Sequence, residues 1–198
     1  LNDNVISGQT ELAAEPADTD EFLVSDAGTL KRIDYSHIKD SGGITMADQW
    51  RLSSNYTYPS SGATQLTANW ERIDTDSPGL IGSGMTESSG IFTFPSTGIY
   101  LVHFFTNVVS SAAGNYIGFY TDVSTNGGVS FDYLNGNWDS ADTNARSMAV
   151  SAQSLVDVTS TSDIKVRFTT SATGSGHTYS GNTGVTYTGA TFIRLGDT

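Results

Sequence analysis

The segment Gly90-Ile-Phe-Thr-Phe-Pro-Ser-Thr-Gly-Ile-Tyr-Leu-Val-His-Phe-Phe-Thr-Asn-Val108 carries the strongest strand signal in the chain. A short apolar run leads through a Pro-Ser-Thr-Gly turn into a long run of aromatic and branched residues. Successive side chains of a strand point to opposite faces, and here most positions on both faces are apolar. The segment therefore predicts a strand, starting at Gly98, that is covered on both faces.

The two faces of this strand are expected to have different covers. In an antiparallel domain one face packs on the core, which suits Tyr100, Val102, Phe104 and Val108. The opposite face needs another cover, such as a second subunit. We therefore predict an oligomer, with these candidate interface residues on the strand and on the apolar run that follows it: Ile99, Leu101, His103, Phe105, Ile117 and Phe119.

The composition is typical of an all-β surface protein. Of 198 residues, 37% are hydrophobic and only 15% are charged, whereas 11% are aromatic. Disordered chains are poor in aromatic and β-branched residues, so a folded chain is predicted. The length suits one domain of about 150 residues with an appendage.

The charge balance limits the partners. The net charge is −12, with nine Lys plus Arg and no basic cluster, so we expect neither nucleic acid binding nor attraction to an anionic membrane.

The sequence contains no cysteine, which excludes disulfides and thiolate metal sites and favours a bacterial or viral origin. No segment reaches the length of a membrane span, so no membrane insertion is predicted. Residue 1 is leucine rather than methionine, which leaves room for an upstream part.

Residues 1–43 differ in composition from residues 44–198 and are predicted to be a separate attachment segment. They are acidic, and two short β runs at 21–25 and 29–33 flank an Asp26-Ala-Gly28 turn. This pattern predicts a β-hairpin. An isolated hairpin is marginally stable in water, so this one is expected to need a partner surface.

Strand signals recur from Ala47 onward, and no helix-period segment of useful length is present. Turn clusters rich in Gly, Ser and Asn separate the signals. Many short strands joined by such turns predict an all-β jelly-roll sandwich. The strands are predicted near residues 48–53, 66–73, 91–95, 98–109, 115–124, 128–133, 146–158, 163–170 and 186–195.

The motif around Phe94, Pro95, Gly98 and Tyr100 resembles the signature of the complement globular-head and tumour-necrosis-factor (TNF) jelly roll. In that family a Phe-x-x-Pro-x-x-Gly-x-Tyr segment leads into a central strand. The closing Thr188-Gly-Ala-Thr-Phe-Ile-Arg-Leu195 resembles the final strand of the family, Phe-x-Gly-x-x-Leu. The resemblance covers roughly residues 47–198, and it implies a homotrimer of jelly-roll heads.

Other segments are similar to modules of tailed-phage structural proteins, especially marine ones. They are the leader at 18–33, Ala47-Asp-Gln-Trp-Arg-Leu52, Leu80–Gly90 and the terminal Phe192–Thr198. Such leaders join fibre and head-appendage proteins to varied tips. The resemblance implies display on the surface of a virion, with residues 1–43 docked on other virion proteins.

The segment 133–144 is the sharpest candidate for ligand binding. It is predicted to be a turn-rich loop in which aromatic faces stack on sugar rings while amides and carboxylates bind hydroxyl groups. The alternative is that Trp138 packs on its own domain or on a neighbouring subunit. The candidate residues, including those of two weaker segments, are Tyr133, Asn135, Asn137, Trp138, Asp139, Tyr58, His177 and Tyr179.

No catalytic constellation is recognisable. The three histidines are scattered, and the sequence has no nucleophile elbow, phosphate loop or dinucleotide motif. We therefore predict no catalytic residue, no metal site and no cofactor. The carboxylate pairs Asp18/Asp20, Asp74/Asp76 and Asp139/Asp142 leave Ca²⁺ binding open as an alternative to solvated loop charge.

The sequence thus favours a non-enzymatic virion structural protein. In one interpretation it is a trimeric tail-fibre tip that binds a host surface glycan or protein. In another it is a capsid decoration or head-fibre protein. A cellular, secreted complement-like binding module and a polysaccharide depolymerase are the alternatives from other classes.

Overall fold

A twelve-residue strand, Gly98–Val109, lies at the centre of the fold. In the computed structural model, which describes residues 10–39, 43–59, 62–77, 79–110, 116–140, 147–174 and 176–198, it has strands on both sides. Ser147–Val158 pairs antiparallel with its whole length. On the other edge, Gly189–Gly196 pairs with residues 99–105. The strand predicted over 98–109 is therefore confirmed.

The regular secondary structure of the described residues is β-strand apart from one short 3-10 turn at Tyr35–His37. They contain no helix long and apolar enough to cross a lipid bilayer. In chain order the strands are β1 (Glu21–Asp26), β2 (Thr29–Asp34), β3 (Ala47–Leu52), β4 (Tyr56–Thr57), β5 (Gly62–Gln65), β6 (Trp70–Arg72), β7 (Leu80–Ile81), β8 (Thr86–Ser88), β9 (Ile91–Thr93), β10 (Gly98–Val109), β11 (Ile117–Ser124), β12 (Asp132–Asp139), β13 (Ser147–Val158), β14 (Lys165–Ala172), β15 (Thr178–Tyr179) and β16 (Gly189–Gly196).

Two antiparallel sheets form a sandwich. The first sheet runs β4-β15-β10-β16-β3-β6, with β13 on the other edge of β10 and β7 beside β3. The second sheet runs β12-β11-β14-β9-β8, with β5 beside β14. Inward and outward positions alternate along β10, whose side chains are buried and half-buried in turn over all twelve residues.

The core between the sheets is rich in aromatic rings. Phe104 of the first sheet stacks on Phe168 of the second, with ring centroids 4.2 Å apart and planes 11° apart. Trp70 packs edge-on against Phe92 at 5.1 Å. Such rings bury large apolar areas, so a few of them stabilise a sandwich of short strands.

The chain divides into two compact units, residues 1–43 and residues 44–198. In the first unit β1 and β2 form the predicted hairpin, paired from Glu21↔Asp34 to Asp26↔Thr29. Ala27 and Gly28 form its turn with φ of 49° and 83°. One face of this hairpin leaves Leu23 and Leu30 exposed to 74% and 70%.

Two strand predictions were wrong. The strand expected at 128–133 lies at Asp132–Asp139, because an Asn-Gly-Asn sequence that reads as a turn is drawn into pairing with β11. The single strand expected at 66–73 is two strands, Gly62–Gln65 and Trp70–Arg72, which belong to different sheets.

Candidate functional site

The outer face of the first sheet carries four of the six predicted interface residues. Ile99, Leu101, His103 and Phe105 are the outward, half-buried positions of β10. Their inward neighbours Tyr100, Val102 and Phe104 are fully buried. The face assignment made from alternation is therefore correct.

The strand register aligns apolar side chains into a continuous row across this face. Leu155 of β13 pairs with Leu101, Leu101 with Ile193 of β16, Ile193 with Ala47 of β3, and Ala47 with Ile81 of β7. We call these five residues the apolar row. Its ends, Leu155 and Ile81, are exposed to 62% and 47%.

The row beside it is polar and contains no acidic residue, lysine or arginine. His103 pairs with Gln153 on one side and with Thr191 on the other, and Thr191 pairs with Gln49. A concavity of about 390 Å³ opens at the next row, lined by residues that include His103, Phe105 and Tyr187. The apolar row thus lies beside a row of hydrogen-bonding side chains.

Ile117 and Phe119 are not on this face, and their assignment to the interface was wrong. Both belong to β11 of the second sheet and are fully buried within the sandwich. The ring of Phe119 packs edge-on against Phe104, with centroids 4.6 Å apart. Because the odd-numbered residues at the start of β11 point inward, they stabilise the single subunit.

The outer face of the second sheet carries a cluster of four aromatic residues, which we call the aromatic platform: Tyr116, Tyr120, Tyr133 and Trp138. The Tyr120 ring stacks on Tyr133 with centroids 3.9 Å and planes 10° apart. Trp138 meets Tyr120 edge-on at 4.9 Å. Tyr116, Tyr120 and Trp138 line a concavity of about 320 Å³.

Two glycines make room for the indole ring of Trp138. A methyl group at Gly118 would lie 2.5 Å from Cδ1 of Trp138, and one at Gly136 would lie 2.5 Å from Cη2. The ring therefore lies against the backbone of both strands. Trp138 nevertheless remains 39% exposed, so part of the ring faces solvent.

The other predicted members of this segment point elsewhere. Asn135 donates to the Ser154 hydroxyl, and Asn137 donates to the Ser151 carbonyl at 2.8 Å, so both amides bridge to β13 of the first sheet. Asp139 is exposed at the end of β12 and accepts from the backbone of Ser140. The predicted loop is thus a strand up to Asp139, and residues 141–144 lie outside the described residues.

The weaker binding candidates were wrong, because Tyr58, His177 and Tyr179 are fully buried. The Tyr179 hydroxyl donates to the Gly118 carbonyl at 2.6 Å. His177 has its Nε2 3.0 Å from the Thr173 carbonyl oxygen and its Nδ1 3.2 Å from the Ser110 hydroxyl. These side chains are hydrogen-bonded inside the sandwich and cannot contact a ligand.

Tyr116 and Tyr120 are platform residues that the sequence analysis missed. A signal was present: Tyr116, Gly118 and Tyr120 fall on one face of a strand by alternation, opposite the apolar Ile117 and Phe119.

A buried acid lies beside the platform on β11. Asp122 accepts at Oδ2 from Thr169 at 2.7 Å and from Arg167 at 2.8 Å, while its Oδ1 is buried without a partner among the described residues. Burial raises the pKa of the Asp122 carboxyl, and these two hydrogen bonds oppose the shift. The Arg167 guanidinium lies 4.1 Å above the Phe131 ring, so this cation is already engaged on two sides.

No group of three or more His, Cys, Asp or Glu side chains suited to a metal is found in the described part of the chain. Asp18 is paired with Lys39, and Asp74 with the buried Arg51. In two of the carboxylate pairs considered for Ca²⁺, one member is therefore already paired with a basic side chain. Asp142, from the third pair, lies outside the described residues.

No protein-family model and no curated protein sequence matches the chain. Solved structures do match. The Eiger TNF of S. frugiperda has a TM-score of 0.57 at 13% identity, over 79% of this chain and 96% of that one. Murine APRIL, solved at pH 8.5, has a TM-score of 0.53 at 15% identity, over 76% and 98%. At such low identity the match shows the fold: the predicted all-β jelly roll is confirmed, and it is of the TNF type.

Proposed function

We propose that this protein is a homotrimeric, non-catalytic binding module whose subunits meet through the outer face of the first sheet. The observation that carries the proposal is the apolar row, which runs without interruption across five strands. Scattered exposed hydrophobic residues are ordinary, but a contiguous strip on a sheet face is typical of an interaction surface.

The charge pattern supports self-association at this face. Each chain carries a net charge of −12, so a contact without carboxylates adds no close-range repulsion between subunits. The apolar row and the neighbouring Gln153-His103-Thr191-Gln49 row contain no carboxylate, and Asp157, which pairs with Ile99, lies beyond the other side of the apolar row. Interface cores are depleted of charged residues in the same way. The resemblance to the complement-head and TNF jelly rolls favours three subunits over two.

Analytical ultracentrifugation of the full chain tests the assembly. We expect the protein to sediment at about three times its 21.0 kDa chain mass, and Leu101→Asp to sediment as a folded monomer. Leu155→Asp, at the exposed end of the row, serves as the milder variant if Leu101→Asp does not fold. Val129→Asp, at a turn position exposed to 87%, is the matched control and is expected to stay trimeric. A stable wild-type monomer at micromolar concentration would contradict the proposal.

The finer proposal is that the module is displayed on a virion, with residues 1–43 attached to other virion proteins. The phage-like leader and the exposed Leu23 and Leu30 of its hairpin support this role. Because a two-stranded hairpin is marginal alone, a partner surface would stabilise it. Between the two virion roles we favour a tail-fibre tip, since the aromatic platform offers a surface for host attachment; capsid decoration is the rival.

Immunogold labelling of particles with an antibody against residues 44–198 tests the location. We expect label at the tail tip. Label on the head would favour the decoration role. Label on no particle would overturn the virion proposal and leave the cellular, complement-like binding module as the better interpretation.

A further inference from the structure

We propose that the aromatic platform binds uncharged sugar rings. The proposal deepens the adhesive role above and rests on it for its purpose, while its chemistry depends only on residues of the second sheet. Four aromatic side chains on one exposed patch need an explanation, because a fold of this size buries most of its rings.

The shape of the platform suits a single sugar ring. Tyr116, Tyr120 and Trp138 line a concavity of about 320 Å³, which is at the lower end of the roughly 300–1,000 Å³ range of small-ligand sites. Aromatic faces carry partial negative charge. The C–H groups on one face of a pyranose carry partial positive charge, so the two surfaces attract when they stack.

The rings are held in place before any ligand arrives. The indole of Trp138 lies against the backbone at Gly118 and Gly136, and Tyr120 is held between Tyr133 and Trp138. A pre-ordered surface loses little side-chain entropy when it binds. The platform therefore suits weak binding at each single site, and three platforms in one trimer would raise the overall affinity for a surface that carries many sugars.

Polar groups surround the apolar surface. The hydroxyl groups of Tyr116, Tyr120 and Tyr133 and the indole N–H of Trp138 make no hydrogen bond to another described residue. A phenol hydroxyl both donates and accepts, and the indole N–H donates. These groups match the hydroxyl rim of a sugar, which also donates and accepts.

The charge of the described residues around the platform favours a neutral ligand over an anionic one. Strands β11 and β12 contain no lysine or arginine, and they contribute Asp132 and Asp139 at the ends of β12. The nearby Arg167 is engaged by Asp122 and Phe131. Among the described residues, a phosphate, sulfate or uronic acid would meet no free cation here. A protein partner is less suited, because a stable protein interface buries about 800 Å² on each side and four rings supply only part of that.

NMR titration of the full chain with methyl glycosides of glucose, galactose, mannose and N-acetylglucosamine tests the proposal, with glucuronic acid as the anionic counterpart. The three tryptophan indole N–H resonances are the readout. Those of Trp50 and Trp70 are internal controls, because both indoles already donate inside the fold, to Asp48 and to the Leu66 carbonyl. We expect the Trp138 resonance alone to shift, saturably, with at least one neutral glycoside.

Two variants separate stacking from folding. Trp138→Ala is expected to weaken binding of that glycoside roughly threefold to tenfold, as lost aromatic stacking does. Leu134→Ala is the matched control on the same strand, since Leu134 is also 39% exposed but lies outside the concavity, and it is expected to bind as the wild type does. Sedimentation of the same samples reports the trimer independently.

The proposal is overturned if no neutral glycoside shifts the Trp138 resonance, if Trp138→Ala binds as tightly as the wild type, or if glucuronic acid binds as tightly as the neutral sugars. A trimer without sugar binding would reject this inference alone. A monomer that still binds sugar would reject the trimer alone.

Discussion

At the scale of single residues, Asp48 is the clearest example of a buried charge that the fold fully satisfies. It is completely buried on β3. It accepts from the indole of Trp50 at 2.9 Å, from the backbone N–H of Met85 at 2.6 Å, and from Arg72 at 2.9 Å. The Arg72 guanidinium also lies 4.7 Å from the Trp50 ring centroid. One carboxylate therefore connects three separate segments of the chain.

We expect Asp48→Ala to lower the free energy of unfolding by about 3 kcal/mol, because it leaves a cation and two N–H donors without their acceptor. Urea denaturation followed by circular dichroism measures the change. Asp132→Ala, which removes an exposed carboxylate, is the control and is expected to change stability by about 0.5 kcal/mol or less. Equal effects of the two substitutions would contradict this account of Asp48.

Asp122 predicts a dependence of stability on pH. Burial raises the pKa of its carboxyl in the folded protein, so the folded state holds this proton to higher pH than the unfolded state does. The contribution of Asp122 to the free energy of unfolding therefore decreases as the pH rises. The decrease begins near the pKa of the carboxyl in the unfolded chain, about 3.9, and ends above its pKa in the folded protein. Asp122→Asn keeps a hydrogen-bonding side chain of the same size and removes the titration.

We expect urea denaturation across this pH range to show that the variant gains stability relative to the wild type as pH rises. An identical pH profile for the two proteins would mean that the folded and unfolded pKa values of Asp122 are equal.

At the scale of elements, β10 and β12 show what a sequence can and cannot predict. The bounds of β10 follow from its residues, because alternating apolar side chains and a flanking turn act locally. In β12, the Asn135-Gly-Asn137 sequence favours a turn locally. Its extended form depends on pairing with the preceding strand β11, an inter-strand contact that the turn signal of the Asn-Gly-Asn residues does not reveal.

The same contrast holds for the candidate site. Tyr133 and Trp138 were predicted as exposed aromatics, and both lie on the platform. Asn135 and Asn137 were grouped with them because a loop brings neighbouring residues together. In the strand, Asn137 alternates with Trp138, and a bulge between Tyr133 and Asn135 places these two residues on opposite faces. Burial of Tyr58, His177 and Tyr179 could not be predicted, because it arises from packing between segments far apart in sequence.

Gly136 tests whether the platform depends on glycine. A methyl group there would lie 2.5 Å from the Trp138 ring and 2.7 Å from the Phe119 carbonyl oxygen. We expect Gly136→Ala to lower the free energy of unfolding by about 1–3 kcal/mol through overpacking, and to shift the Trp138 indole resonance. Gly196→Ala is the matched control, because it is also a strand glycine but has open space around it. A Gly136→Ala protein with unchanged stability and an unchanged Trp138 resonance would show that the position of the Trp138 ring does not depend on glycine at residue 136.

At the scale of the whole molecule, the residues 44–198 unit presents two chemically different outer faces. The first sheet offers an uncharged strip suited to another copy of the chain, and the second offers an aromatic patch bordered by carboxylates. Because the two faces belong to opposite sheets, association through one leaves the other accessible. A trimer of this kind would present three platforms, so weak single-site affinity would be raised by multivalency.

The chain divides into two compact units after Gly43. Residues 44–198 contain both sheets of the sandwich and all of its buried hydrophobic core. The hairpin Glu21–Asp34 exposes Leu23 and Leu30, and none of the described residues before Gly43 belongs to that core. We therefore expect a protein truncated to residues 44–198 to keep the circular dichroism spectrum of the full chain and its melting temperature to within about 2 °C. We also expect it to sediment with the same number of subunits as the full chain.

If residues 1–43 are the attachment segment, the truncated head is expected to fold yet to be missing from particles, as detected by immunoblotting of purified virions. A truncated protein that fails to fold, or that is incorporated normally, would show that the hairpin belongs functionally to the head, because its exposed leucines would then have their partner within the same chain.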